Sequence, residues 1–170
     1  MNYRATGWST KWIMQFAVTA MIVLGVSSSG LFAATSDVTP LPGTKVIKTA
    51  YAYKALAGRL VKAIQKNRMG IVARASATIG AKSIGKIIPG NMVIMVFRPE
   101  FAVRMLKASI PAGIEAPLRF YVTENDDGKA SLTYRMPTST FAPYGSPDLN
   151  RLAGEIDILF GNIVRDALKP

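Results

Sequence analysis

Two alternating runs joined by a tight turn constrain this chain more than any other feature. Leu118, Phe120 and Val122 alternate with Arg119, Tyr121 and Thr123. After Asn125-Asp126-Asp127-Gly128, Ala130, Leu132, Tyr134 and Met136 alternate with Ser131, Thr133 and Arg135. A period of two puts one set of side chains on each face of a sheet, and an Asp-Gly turn between two such runs makes a hairpin. The two strands are therefore antiparallel, with one apolar and one polar face. Asn91–Arg98 (NMVIMVFR) behaves differently. Met92 to Phe97 is apolar at every position, which predicts a central strand buried on both sides.

Helical signals lie between these strands. Lys45 to Tyr53 reads as a first strand and Lys54 to Asn67 as a helix. In that helix Leu56, Leu60 and Ile64 share one face, and Arg59, Lys62 and Lys66 share the opposite one. Gly70 to Ala77 is the second strand. Pro99 with Glu100 behind it opens a helix that runs to about Ser109 and stops before Pro111. Pro137 to Gly145 reads as a loop. Ser146-Pro147-Asp148 caps a long last helix, whose apolar face is Leu149, Leu152, Ala153, Ile156, Leu159, Phe160, Ile163 and Val164. The order is β-α-β-β-α-β-β-α. That defines an α+β domain over residues 46–170, a mostly antiparallel sheet with helices on one face and no internal repeat.

Residues 1–34 do not belong to that pattern. Arg4 and Lys11 precede the uncharged run Trp12–Val26, and Ser27-Ser28-Ser29-Gly30-Leu31-Phe32-Ala33-Ala34 follows. A basic head, an apolar middle and a small-residue tail make a secretory signal peptide. The alternative is an uncleaved anchor over residues 12–34, against which the serines and Gly30 count. Either reading places the domain outside the cytoplasm, periplasmic, secreted or tethered to the inner membrane. Residues 35–45 (TSDVTPLPGTK) form a polar linker.

The chain has 170 residues and no Cys or His. Disulfides, thiolate nucleophiles, zinc fingers, histidine-ligated haem and Ser-His-Asp triads are thereby excluded. No metal or cofactor is expected. Charge is uneven: residues 35–107 hold 13 basic residues against Asp37 and Glu100, whereas residues 108–170 hold 6 basic against 8 acidic. A basic first half attracts anions, which outside the cytoplasm means lipid head groups, acidic glycans or small solutes. No nucleic-acid recognition motif is present.

Three suggestive motifs lose to plainer readings. Gly80-Ala81-Lys82-Ser83-Ile84-Gly85-Lys86 has phosphate-loop spacing, but Ile87 stands where a Ser or Thr must hold Mg²⁺, and Pro89-Gly90 blocks the required helix. It reads as a flexible basic loop. Met92 and Met95, three apart on a strand, point to opposite faces and cannot share a copper ion. Glu124, Asp126 and Asp127 lack the spacing of a calcium loop and read as a solvated turn. Two candidate sites remain. Arg98, Arg119 and Tyr121, if their faces converge, line a cleft for an anion. Arg59, Lys62 and Lys66 present a solvent-facing basic stripe to an anionic surface.

Pro89-Gly90-Asn91 running into Met92–Phe97, then Arg98-Pro99-Glu100-Phe101-Ala102 opening a helix, resembles the domain of unknown function 302 family. So does Pro117-Leu118-Arg119-Phe120-Tyr121-Val122 leading to Asp126-Asp127-Gly128, Tyr134 and Pro137. The resemblance covers about residues 46–140. It implies a compact α+β domain similar to the TATA-box-binding-protein-like fold, and it carries over no catalytic residues. The chain departs from the family in its Lys- and Ile-rich segment 80–88 and in its leader. The expectation is a non-enzymatic extracytoplasmic binder of an anionic small ligand or a membrane surface. The alternatives are a small enzyme without His or Cys chemistry and an interaction module acting through a homodimer or a partner.

Overall fold

A computed structural model describes residues 40–170, and the expected leader and residues 35–39 of the expected linker lie outside them. The elements are β1 (Thr44–Ala52), α1 (Tyr53–Lys66), β2 (Gly70–Ala75), α2 (Ala77–Ser83), β3 (Asn91–Phe97), α3 (Pro99–Ala108), β4 (Leu118–Glu124), β5 (Lys129–Arg135), α4 (Pro137–Phe141) and α5 (Pro147–Leu168). Short 3₁₀ turns occupy Pro111–Glu115 and Ala142–Tyr144. The strands form one sheet in the order β1-β5-β4-β3-β2. Every neighbouring pair is antiparallel.

The hairpin turns where the sequence places it. Asn125 N donates to Lys129 O at 2.7 Å, and Gly128 takes φ +74°, a left-handed conformation that glycine adopts without penalty. Phe120, Val122, Ala130 and Leu132 face the helices and are fully buried. Phe160 of α5 stacks on Phe120 and meets Tyr134 edge-on, with centroids 4.4 and 5.7 Å apart. Leu56, Leu60 and Ile64 of α1 and Leu149, Leu152, Ile156 and Ile163 of α5 complete the core. The core therefore lies between one sheet face and a helical layer of α1, α3, α4 and α5, as in an α+β domain.

Four expectations change. First, β3 is buried on one side: Ile94 and Val96 are inaccessible, while Val93 and Met95 are half-buried on the face without helices. An interior strand in a one-sided helical layer has one solvated face whatever its composition. Second, residues 77–83 form a helix rather than part of a loop, and β2 stops at Ala75. Ser76 Oγ accepts from Ile79 N at 3.3 Å and starts that helix. Third, residues 137–144 are helical. Pro137 sits at a first helical position, where its missing N–H costs nothing. Fourth, the linker ends earlier, because Thr44 already pairs with Arg135.

Helix α1 ends in a Schellman motif at a non-glycine residue. Met69 N donates to Ile64 O at 3.0 Å and Arg68 N to Gln65 O at 2.9 Å, with Arg68 at φ 54°.

Candidate functional site

Arg98 does not join the other two predicted ligand residues. Its Nε donates to Arg68 O at 3.0 Å and its Nη2 to Asn67 O at 2.6 Å, while the guanidinium lies 4.7 Å from the Phe101 ring centroid. It caps the carbonyl end of α1, where the helix dipole favours a cation. Beneath it Met69, Val96, Phe101, Met105, Phe141 and Leu152 line an apolar crevice of about 30 Å³, room for little more than one water.

The basic stripe on α1 is also engaged. Arg59 Nε donates to Ala167 O at 2.7 Å, and its Nη2 donates to Lys169 O. Its guanidinium stacks on Tyr51, 4.4 Å from the centroid. Lys66 Nζ pairs with Asp166 Oδ1 at 2.9 Å. Helices α1 and α5 pack so that the cations of one meet the carbonyl end of the other. Helical periodicity places Arg59, Lys62 and Lys66 on one face but cannot show that α5 ends beside it. Lys62 alone of the three has no hydrogen bond or ion pair among the described residues.

Arg119 and Tyr121 do come together. The β4–β5 register runs through Tyr121↔Thr133 and Phe120↔Tyr134. Arg119 and Arg135 therefore oppose each other at the next position, on the face shared with Tyr121 and Thr133. Cross-strand neighbours there have Cβ atoms about 5 Å apart, and like charges so placed repel. Both arginines are exposed, and neither has a hydrogen bond or ion pair among the described residues. They line a cleft of about 340 Å³ with Val93, Leu118, Tyr121, Thr133, Tyr134 and Thr140, bordered by Glu115. Glu115 Oε1 accepts from Tyr144 OH at 3.0 Å. Burial, then the nearby Asp157, pushes the Tyr134 phenol above its ordinary pKa, so it stays protonated. Arg135 completes the site, and its signal was present in the sequence as the alternation of the second hairpin strand. What the sequence lacks is the register that sets it against Arg119.

Two of the three acids at the hairpin turn have local partners. Glu124 Oε2 accepts from Gly90 N at 2.7 Å, and Asp127 Oδ1 accepts from Lys129 N at 3.0 Å. Met92 and Met95 fall on opposite faces, as their spacing requires, since Met92 pairs with Val122 and Met95 with Arg119.

The described residues form a single-sheet α+β domain with one face covered by helices and the other left open among them. The family model described as "Domain of unknown function DUF302" matches residues 45–166, and the chain belongs to that family. A crystal structure of an uncharacterized conserved DUF302 protein from Bacillus stearothermophilus is similar in fold, with a TM-score of 0.67 at 17% identity. The match covers 76% of this chain and 100% of that one. No curated protein matches.

Proposed function

We propose that the cleft at the ends of β4 and β5 binds a small anion, a carboxylate or phosphate, and that the domain is a binder rather than an enzyme. One observation supports this: Arg119 and Arg135 oppose each other across strands with no carboxylate paired to either among the described residues. Such an arrangement costs stability until an anion lies between the two forks, and guanidinium groups take oxyanions in bidentate geometry. The Tyr121 and Thr133 hydroxyls beside them supply neutral donors, and Val93 and Leu118 supply an apolar wall for the ligand's carbon frame.

The test is calorimetric unfolding of residues 35–170 with inorganic phosphate and with a small dicarboxylate. Each should raise the Tm of the wild type in a saturable way. Arg135→Gln should raise the ligand-free Tm by relieving repulsion, and should weaken binding about ten- to a hundredfold. Phosphate also stabilises proteins by exclusion. An equal gain in wild type and in Arg119→Gln/Arg135→Gln would therefore remove the site.

The leader reading belongs to the same proposal: an extracytoplasmic domain meets anionic solutes arriving from outside. N-terminal sequencing of exported protein should begin between Gly30 and Thr35, and an intact Met1 in the membrane fraction would establish the anchor instead. The likeness to the TATA-box-binding-protein-like fold also stands here as a proposal, supported by an antiparallel sheet with one open face. A second functional reading, an interaction module, is favoured by Val103, Leu106, Ile110 and Ile114, which are exposed along α3 and the turn after it. Sedimentation that stays monomeric at high concentration would count against a homodimer.

A further inference from the structure

The excursion between β2 and β3 is built unlike the rest of the domain. Its base is pinned. Ser76 Oγ donates to Asn91 O at 2.8 Å, Asn91 N donates to Thr78 Oγ1 at 2.7 Å, and Thr78 Oγ1 donates to Pro89 O at 3.0 Å. Its tip is apolar and uncovered: helix α2 has no buried residue, and Ile79, Ile84 and Ile87 are 70, 74 and 99% exposed. Lys82 and Lys86 stand among these isoleucines. The sequence holds no acid between Asp37 and Glu100. The carboxylate that touches the excursion, Glu124, does so at its base, on Gly90 N.

As far as Lys86 the tip closes hydrogen bonds on itself. Lys86 N donates to Ala81 O at 2.9 Å and Gly85 N to Lys82 O at 3.1 Å, a Schellman motif with Gly85 at φ +71°. A segment with an internally bonded helical turn, outward isoleucines and interleaved lysines is suited to shallow entry into a lipid interface, where head groups and water still reach the backbone of residues 87–88. The helical turn keeps its own hydrogen bonds there, and the cations stay at head-group depth.

We propose that residues 77–88 are a membrane-contact tip that seats Ile79, Ile84 and Ile87 in the interface of an anionic bilayer, with Lys82 and Lys86 on the lipid head groups. The occupant is a lipid surface because the tip combines exposed apolar side chains with charge of one sign, which is what an anionic bilayer complements. This surface is separate from the Arg119/Arg135 cleft and does not depend on its ligand.

Both tryptophans of the chain, Trp8 and Trp12, precede the domain. Residues 35–170 carrying Ile84→Trp therefore hold a single tryptophan, at the tip, which is excited apart from the tyrosines at the red edge of the absorption band. The solved relative matched over its whole length consists of this domain alone. With vesicles containing anionic phospholipid the emission should shift to the blue and be quenched by lipids labelled near the head group. Vesicles of neutral phospholipid should give neither effect. Lys82→Gln and Lys86→Gln should each weaken binding about fivefold. Added salt should weaken it further. Ile114→Trp, at an exposed apolar site outside the tip, should not respond. Arg119→Gln should bind vesicles like the parent, which separates this proposal from the cleft. Unchanged Ile84→Trp emission, or an equal response from Ile114→Trp, would overturn the assignment. So would a lipid-free shift that grows with protein concentration, which would make the occupant a second copy of the chain.

Discussion

Strand β3 offers a controlled measurement of one-sided burial, because the same substitution can be made on both of its faces. Val96 is 1% exposed in the core, and Val93, three residues away, is half-buried against Tyr121 on the open face. Each Val→Ala removes two carbon atoms, and full burial of two such groups stabilises by about 1.6 kcal/mol. At Val96 the surroundings cannot collapse fully onto the void, so the loss should reach about 2–3 kcal/mol. At Val93 part of the surface was never buried and water fills the vacated space, so about 0.5–1 kcal/mol should be lost. The lower strand preference of Ala is common to both and drops out of the difference. Urea unfolding followed by circular dichroism gives each value, provided the slope of free energy against urea is unchanged. Val96→Ala should be the more destabilising by about 1.5–2 kcal/mol. Equal losses would mean that something covers the open face, and the account of both the sheet and the cleft would fail with that result.

Other substitutions test other joints of the fold. Ile94→Ala, fully buried on the same strand, should cost roughly 2–5 kcal/mol in the same assay, and a loss below about 0.5 would displace β3 from the core. A Cβ at Gly90 would lie 2.5 Å from the Tyr53 ring and 2.9 Å from Glu124 Oε2. Gly90→Ala should therefore lower the Tm by several degrees, and a neutral result would show that Tyr53 moves aside freely. Asp166 is held down to about 2 by hydrogen bonds from Lys66 and Asn67, with the Lys66 and Lys169 charges adding to them. A carboxyl with a depressed folded pKa stabilises above its ordinary value of 3.8 and loses that contribution as pH falls toward about 2. Wild type should lose urea resistance over that interval faster than Asp166→Asn, and parallel losses would show that the pair does not report on folding. Arg68→Gly should stabilise by roughly 0.5–1 kcal/mol by relieving a left-handed residue, whereas Arg98→Ala should destabilise by about 1–3 kcal/mol through two lost carbonyl partners. Stability curves that reversed these signs would contradict the capping role given to Arg98.

By itself the sequence determined the local structure. The alternation about Asn125-Asp126-Asp127-Gly128 specifies a hairpin because side-chain direction in a strand depends on position alone. Pro99 and Ser146-Pro147-Asp148 mark helix starts through backbone chemistry that acts within one turn. The apolar faces of α1 and α5 follow from a period that any helix imposes. Two local elements escaped for local reasons. The lysines and glycines of residues 80–86 read as loop, although Ser76 caps a helix over residues 77–83, and the prolines of residues 137–145 read as loop although Pro137 serves as a helix start.

Tertiary structure decided which residues meet, because such meetings depend on chain segments far apart in sequence. Arg59 and Lys66 share a face with Lys62, and the end of α5, a hundred residues on, takes two of the three. Arg98 turns to the carbonyl end of α1 because β3 finishes beside it. Met92–Phe97 is uniformly apolar, but whether both faces are covered depends on where the helices pack, and they pack on one. Arg119 meets Arg135 through the pairing register of β4 with β5, which composition does not encode and which turn geometry together with core packing selects.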